Sequence, residues 1–141
     1  MTPTAQQKQP LRVIVDSNVL FMPLQFKIDI HSELKRLLNR NFELVLISPV
    51  KRELERLATK SSPKMQKNAA LALKFSEQCS YVEVAEASQK TTDDIILKVA
   101  GEWKAPVFTN DKLLRKRLRD INVPVIYMRE KSRLEIDGLI S

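Results

Sequence analysis

Apolar and polar positions along this chain fall into two alternating patterns. Short continuous runs rich in β-branched residues predict buried strands at Val13-Ile14-Val15, 44–47, 81–84, Val107-Phe108 and Val125-Ile126-Tyr127. Between them the apolar spacing becomes helical, over about residues 30–40, 50–60, 64–78, 92–104 and 112–120. Ser62-Pro63 offers an N-cap followed by proline at the first helical position, and Thr91 with Asp94 fits a capping box. Residues 1–10 are polar, proline-bearing and aperiodic, which predicts a loose tail ahead of one domain over 11–141. Strands that alternate with helices predict a single-domain α/β/α sandwich with a central, mainly parallel, five-stranded sheet. No internal repeat or low-complexity segment interrupts it.

Such a sheet collects the carboxyl ends of its parallel strands at one edge, where open α/β folds form their sites. Asp16 directly follows the first strand run, and Asp111 follows the fourth after Thr109-Asn110. Two further acids lie on the inward faces of returning helices. Glu53 shares the apolar stripe of Val50, Leu54 and Leu57, whereas Glu55 points away among basic residues. Asp93 precedes Ile96 by three positions on the face that carries Val99, Ala100 and Trp103, while Asp94 lies on the more polar side, where its helix-start position suits capping. Each acid has an ordinary explanation, Asp16 as a turn residue, Asp93 and Asp111 as helix-start residues and Glu53 as a helix phase read out by a position; all four at one sheet edge point instead to a cluster. At roughly 5 Å and an effective dielectric of about 20, one carboxylate pair costs on the order of 3 kcal/mol. A shared proton or a bound divalent cation relieves that repulsion. A ligand set of oxygen alone suits Mg2+ or Mn2+ rather than zinc.

Composition narrows the chemistry further. The 141 residues carry 24 Lys and Arg against 17 Asp and Glu, a net charge of +7 that favours a polyanionic partner. Two glycines, Gly101 and Gly138, cannot build a glycine-rich phosphate loop, and one His (His31) with one Cys (Cys79) cannot build a zinc finger or a disulfide. No apolar run is long enough for a membrane span, and no signal-like segment is present, so a soluble cytoplasmic protein without membrane partners is expected. Basic residues concentrate where the acids end. Lys112, Arg115, Lys116 and Arg119 fall on one face of the last predicted helix, opposite Leu114, Leu118 and Ile121, and that face starts beside Asp111. A phosphate chain laid along it would release counterions at each contact. Trp103 and Phe75 fit core positions.

The ordered set Asp16 in VIVDSNVL, Glu53 in KRELERL, Asp93 in TTDDIILKVA and Asp111 in FTNDKLLRKRL resembles the PIN-domain nucleases. The stretches 21–30 and 124–138 resemble the archaeal members related to the rRNA-processing branch. The resemblance implies a metal-dependent endoribonuclease in which Asp16, Glu53, Asp93 and Asp111 hold one or two Mg2+ or Mn2+ ions. Asn18 and Thr109 would be near-site polar residues that orient an acid or a water, with Asp94 in reserve for Asp93. The implied partners are RNA, an rRNA precursor first, together with ribosome-assembly factors, an antitoxin, or a second copy in a homodimer. The expected role is rRNA processing or RNA quality control; the alternatives are the toxin of a toxin–antitoxin pair and a catalytically silent RNA-binding scaffold of a pre-ribosomal complex. A phosphotransferase of the haloacid-dehalogenase kind would want a second carboxylate where Asn18 stands. A receiver domain would want acids before Asp16 that this chain lacks.

Overall fold

The computed structural model describes residues 9–86 and 90–140; the predicted tail lies almost wholly outside the described residues. Its strands are β1 (Leu11–Val15), β2 (Phe42–Ile47), β3 (Ser80–Val82), β4 (Val107–Phe108), β5 (Val125–Arg129) and β6 (Arg133–Asp137). The helices are α1 (Ser17–Gln25), α2 (Ile30–Leu38), α3 (Ser48–Lys60), α4 (Pro63–Ser76), α5 (Thr92–Trp103) and α6 (Lys112–Asp120). The sheet order is β3-β2-β1-β4-β5-β6, with β1 to β5 parallel and β6 antiparallel to β5. Six strands therefore replace the five expected. The sixth pairs residue by residue with β5, from Val125 with Asp137 to Arg129 with Arg133.

β1 and β2 sit inside the sheet, and their side chains are buried on both faces: Val13, Ile14, Val15, Val45, Leu46 and Ile47 are all in the core. That is why these strands read as continuous apolar runs rather than alternating ones. Chain reversals are made by named caps. Ser62 Oγ accepts from Met65 N at the start of α4, and Thr91 with Asp94 closes the predicted capping box of α5. Asn39 and Lys104 end α2 and α5 in left-handed conformations with the cap N–H on a carbonyl four residues back.

Three local expectations change. Helix α1, absent from the periodicity reading, turns Val19, Leu20 and Met22 inward despite Pro23 in its interior. Ile121, expected on the packing face of α6, is 48% exposed because the helix stops at Asp120 and the chain turns away. Phe75, expected in the core, stands half out of it at the end of α4. Among the described residues no helix is long and apolar enough to cross a membrane.

The helix that carries Glu53 is anchored through Val50 and Leu54, both without solvent exposure, and packs along α4. Leu54→Ala is expected to cost about 2–5 kcal/mol through lost burial and the cavity left behind. Urea unfolding checks this; a midpoint unchanged from wild type would mean that α3 is held by something other than this contact.

Candidate active site

β1 is flanked by β2 on one side and β4 on the other, so the chain changes direction across the sheet between β1 and β4. At such a switch point the loops that leave two neighbouring strands part and open a crevice at their carboxyl ends. Asp16 and Thr109, the first residues after these two strands, stand in it. Their backbones extend the sheet: Asp16 N donates to Phe108 O and Thr109 N to Ile126 O, both at 3.0 Å.

Asp16 is 5% exposed and takes three hydrogen bonds. Its Oδ1 accepts from Ser17 N at 2.8 Å, which caps α1, and its Oδ2 accepts from Thr109 Oγ1 at 2.7 Å and Asn18 Nδ2 at 2.9 Å. Asn18 in turn accepts from Asn110 N at 3.1 Å, and Thr109 Oγ1 accepts from Asp111 N at 3.1 Å. The two polar neighbours suggested by resemblance, Asn18 and Thr109, therefore touch the same carboxylate oxygen. Burial pushes the Asp16 carboxyl above its usual range; Thr109 and the Ser17 N–H pull it back, and the charges of Asp93 and Glu53 push it up again.

Glu53 reaches the same place from α3, where its Oε1 accepts from Ser17 Oγ at 2.7 Å. Asp93 arrives on the first turn of α5. Its carboxyl is also held above the usual range, first by burial and then by the charges of Asp111 and Glu53, with Arg117 opposing. Asp111 caps α6, its Oδ1 accepting from Leu113 N at 2.8 Å and Leu114 N at 3.1 Å. The four acids thus share one electrostatic neighbourhood, although among the described residues they do not close into a finished three-ligand cage. Asp94 turns aside: it closes the capping box with Thr91 and pairs with Arg117 at 2.7 Å, which holds its carboxyl below the usual range.

Two residues that the sequence reading left out complete the frame. Ser17 orients Glu53. Asn110 braces the loop between β4 and α6 by accepting from Met128 N at 2.8 Å. The available signal was the run of small polar residues directly after each strand.

The basic face of α6 divides. Arg115 Nε and Arg119 Nε both hold Asp137, at 3.1 and 3.3 Å, and the Arg115 guanidinium lies 3.7 Å above the Tyr127 ring. Lys112 and Lys116 are exposed and make no ion pair among the described residues. Lys112 and Arg115 border a cleft of about 340 Å³ with Asn110, Tyr127 and Arg129, next to the loop that carries Asp111.

The donor set fits a hard divalent cation. All its atoms are carboxylate oxygens, and Glu53 Oε2 and Asp111 Oδ2 take no hydrogen bond among the described residues. Groups whose carboxyls are raised in the folded state contribute stability that is complete below their unfolded value and is lost as pH rises through the folded one. In the presence of EDTA, Asp93→Asn should therefore gain thermal stability relative to wild type as pH is raised from about 4 toward neutrality. Parallel thermal melts across that range measure it; a difference that stays constant with pH would mean that Asp93 feels no cluster.

Known proteins agree with this architecture. The family model of the PIN like domain matches residues 13–131. Ribonuclease VapC4 of Methanocaldococcus jannaschii is 34% identical over 130 residues, spanning 92% of this chain and 98% of the relative. Ribonuclease VapC9 of Archaeoglobus fulgidus is 29% identical over 126 residues, 89% of each chain. Among solved structures, the PIN domain endonuclease Utp24 superposes with a TM-score of 0.77 at 26% identity, covering 94% of this chain and 95% of that one. A domain of a functionally unknown protein from Methanocaldococcus jannaschii shares the fold alone, with a TM-score of 0.61 at 16% identity over 93% of this chain and 99% of that one. With its acids at the β1–β4 crevice and the family match running from the first strand to the β5–β6 turn, the chain belongs to the PIN-like domain family.

Proposed function

We propose that this protein is a divalent-metal-dependent endoribonuclease that hydrolyses RNA phosphodiesters at the β1–β4 crevice. The observation that carries the reading is a buried carboxylate, Asp16, electrostatically joined to acids that arrive from separate helices. Asp16 and Asp111 would hold Mg2+ or Mn2+ most directly, with Glu53 and Asp93 completing the shell or positioning water. Bound there, the cation supplies Lewis acidity toward water and toward charge that develops on phosphate. Thr109 and Asn18 fix the direction of the Asp16 carboxylate, and Ser17 aims Glu53. His31 stands on α2 with its ring 5.2 Å from that of Phe42, so the proton for the leaving oxygen comes from solvent.

Two relatives named as VapC ribonucleases favour the toxin of a toxin–antitoxin pair over rRNA processing, which the sequence reading had put first. An antitoxin is then the partner to seek. The basic side of α6 supports an RNA strand beside the acids. Lys112 and Lys116 are its freest cations, whereas Arg115 and Arg119 share Asp137 and serve as its fixed border.

Asp16→Asn is expected to fold and to lose cleavage by at least a hundredfold, a loss consistent with removal of one charge-stabilising group. Gel assays of single-stranded and structured RNA with Mn2+ test this; cleavage at the wild-type rate overturns the nuclease reading. Lys112→Gln with Lys116→Gln should weaken RNA binding and lower the slope of log K against log salt by about 1.4, roughly 0.7 per lost contact on a single strand. An unchanged slope in fluorescence anisotropy removes this helix from the binding surface.

A further inference from the structure

The acid crevice has two neighbours of different character, and Asn110, Met128 and Glu130 belong to both. On the α6 side lies the small basic cleft already described. On the α1 side a larger one, of about 620 Å³, is walled by Phe21, Phe26, Met65 and Met128, side chains contributed by α1, the residue that caps it, α4 and β5. Asn18, which holds the Asp16 carboxylate, reaches its inner end.

The lining is selective about what it can take. Its only cation is Lys131, countered by Glu130, so it offers a phosphate little. It does offer apolar area, two aromatic rings and two methionine thioethers, which are soft surfaces for a flat heteroaromatic ring. Gln25 and Asn68 stand in the same wall, and their side-chain carboxamides make no hydrogen bond among the described residues. A carboxamide presents a donor and an acceptor side by side, the pattern that pairs with the edge of a base. The rim is built at a cost as well. Glu130 and Lys131 turn the chain from β5 to β6 with φ of 56° and 64°, left-handed values at two positions where glycine or asparagine is the unstrained choice.

We propose that this cleft receives one unpaired nucleobase of the RNA strand, adjacent to the phosphate that lies at the acids, and so sets a base preference next to the cut. The inference rests on the ribonuclease reading for its ligand and on continuity with the acid crevice for its position. A nucleotide whose phosphate sits at Asp16 has its sugar and base within reach of Asn18, and the opening on the α1 side is the one with apolar walls. The Met128 ridge between the two clefts then separates base from backbone: ring on the α1 side, following phosphates toward Lys112.

The test uses the full chain labelled at its methionine methyl groups, with Ca2+ in place of Mg2+ or Mn2+ so that the acids can hold a cation toward the phosphate, and with an oligonucleotide made uncleavable at the scissile linkage. Titration with a short single-stranded oligoribonucleotide should move the Met65 and Met128 methyl resonances upfield, because a ring stacked over them imposes a ring current. Met22, which is buried on the inward face of α1, should not move. The same oligonucleotide with one abasic position at the cut site should bind with the same salt dependence and leave the Met65 and Met128 methyls in place. Phe26→Ala should weaken the intact strand about tenfold and leave the abasic strand unaffected. Identical methyl spectra with intact and abasic strands overturn the proposal. Methyl shifts produced by no RNA, but by a peptide, would assign the cleft to a protein partner and overturn it equally. Wild-type protein that shows the base-dependent shifts yet fails to cut the cleavable form of the same RNA with Mn2+ sinks the nuclease reading while leaving the base cleft standing.

Discussion

A carboxylate that is almost out of water has to be kept charged, and the site is arranged around that requirement. Asp16 leaves the central strand of the sheet at the point where the chain splits toward β2 on one side and β4 on the other. It is oriented by the residue after it, by Asn18 two residues on, and by Thr109 at the end of the neighbouring strand. A hydrogen bond to a charged group is worth about 1.5–3 kcal/mol, so three of them offset much of the desolvation that burial imposes. They do not offset all of it: the carboxyl remains harder to ionise than a free one. The remaining imbalance is the physical ground for the cation proposed at the crevice.

The same hydrogen bonds join otherwise separate parts of the chain. Thr109 touches Asp16 and the amide of Asp111; Asn18 accepts from Asn110; Asn110 accepts from Met128. In this way β1, β4, β5 and the start of α6 are joined into one edge that places Asp16 and Asp111, while Glu53 and Asp93 arrive on helices packed against it. Precision of that kind is what a reaction needs if it depends on groups held within a fraction of an ångström. The positive charge of the chain is distributed to match. Arg117 is bound by Asp94 and the pair Arg115 and Arg119 by Asp137, leaving the two lysines of α6 facing solvent near Asp111.

Much of this was legible in one dimension. Strands buried on both faces announce themselves as apolar runs, and β1, β2 and β4 were found at their correct places. The inward phase of Glu53 followed from Val50 and Leu54, and the capping role of Asp94 from its spacing to Thr91. The omissions have physical causes. Helix α1 is apolar around most of its circumference and contains Pro23, so it has no clear 3.6-residue stripe. Strand β6 alternates as R-L-E-I-D at the sheet edge, with its hairpin turn made by Glu130 and Lys131 in left-handed conformations that their side chains disfavour. A turn without glycine or asparagine carries little sequence signal.

The sequence by itself determined the secondary structure that carries the acids, the sign of the overall charge, and the oxygen-only character of the candidate ligands, because these depend on residue type and on spacing within one element. Tertiary structure alone decided which basic residues remain free, that Ser17 and Asn110 support the site, and that an apolar cleft opens beside it. Those outcomes depend on distances between residues up to a hundred positions apart, such as Glu33 with Leu134 at the outer strand, and on competition among partners for the same guanidinium. Local patterns cannot express that competition; only the assembled sheet, with its strands in register, brings the competing groups together.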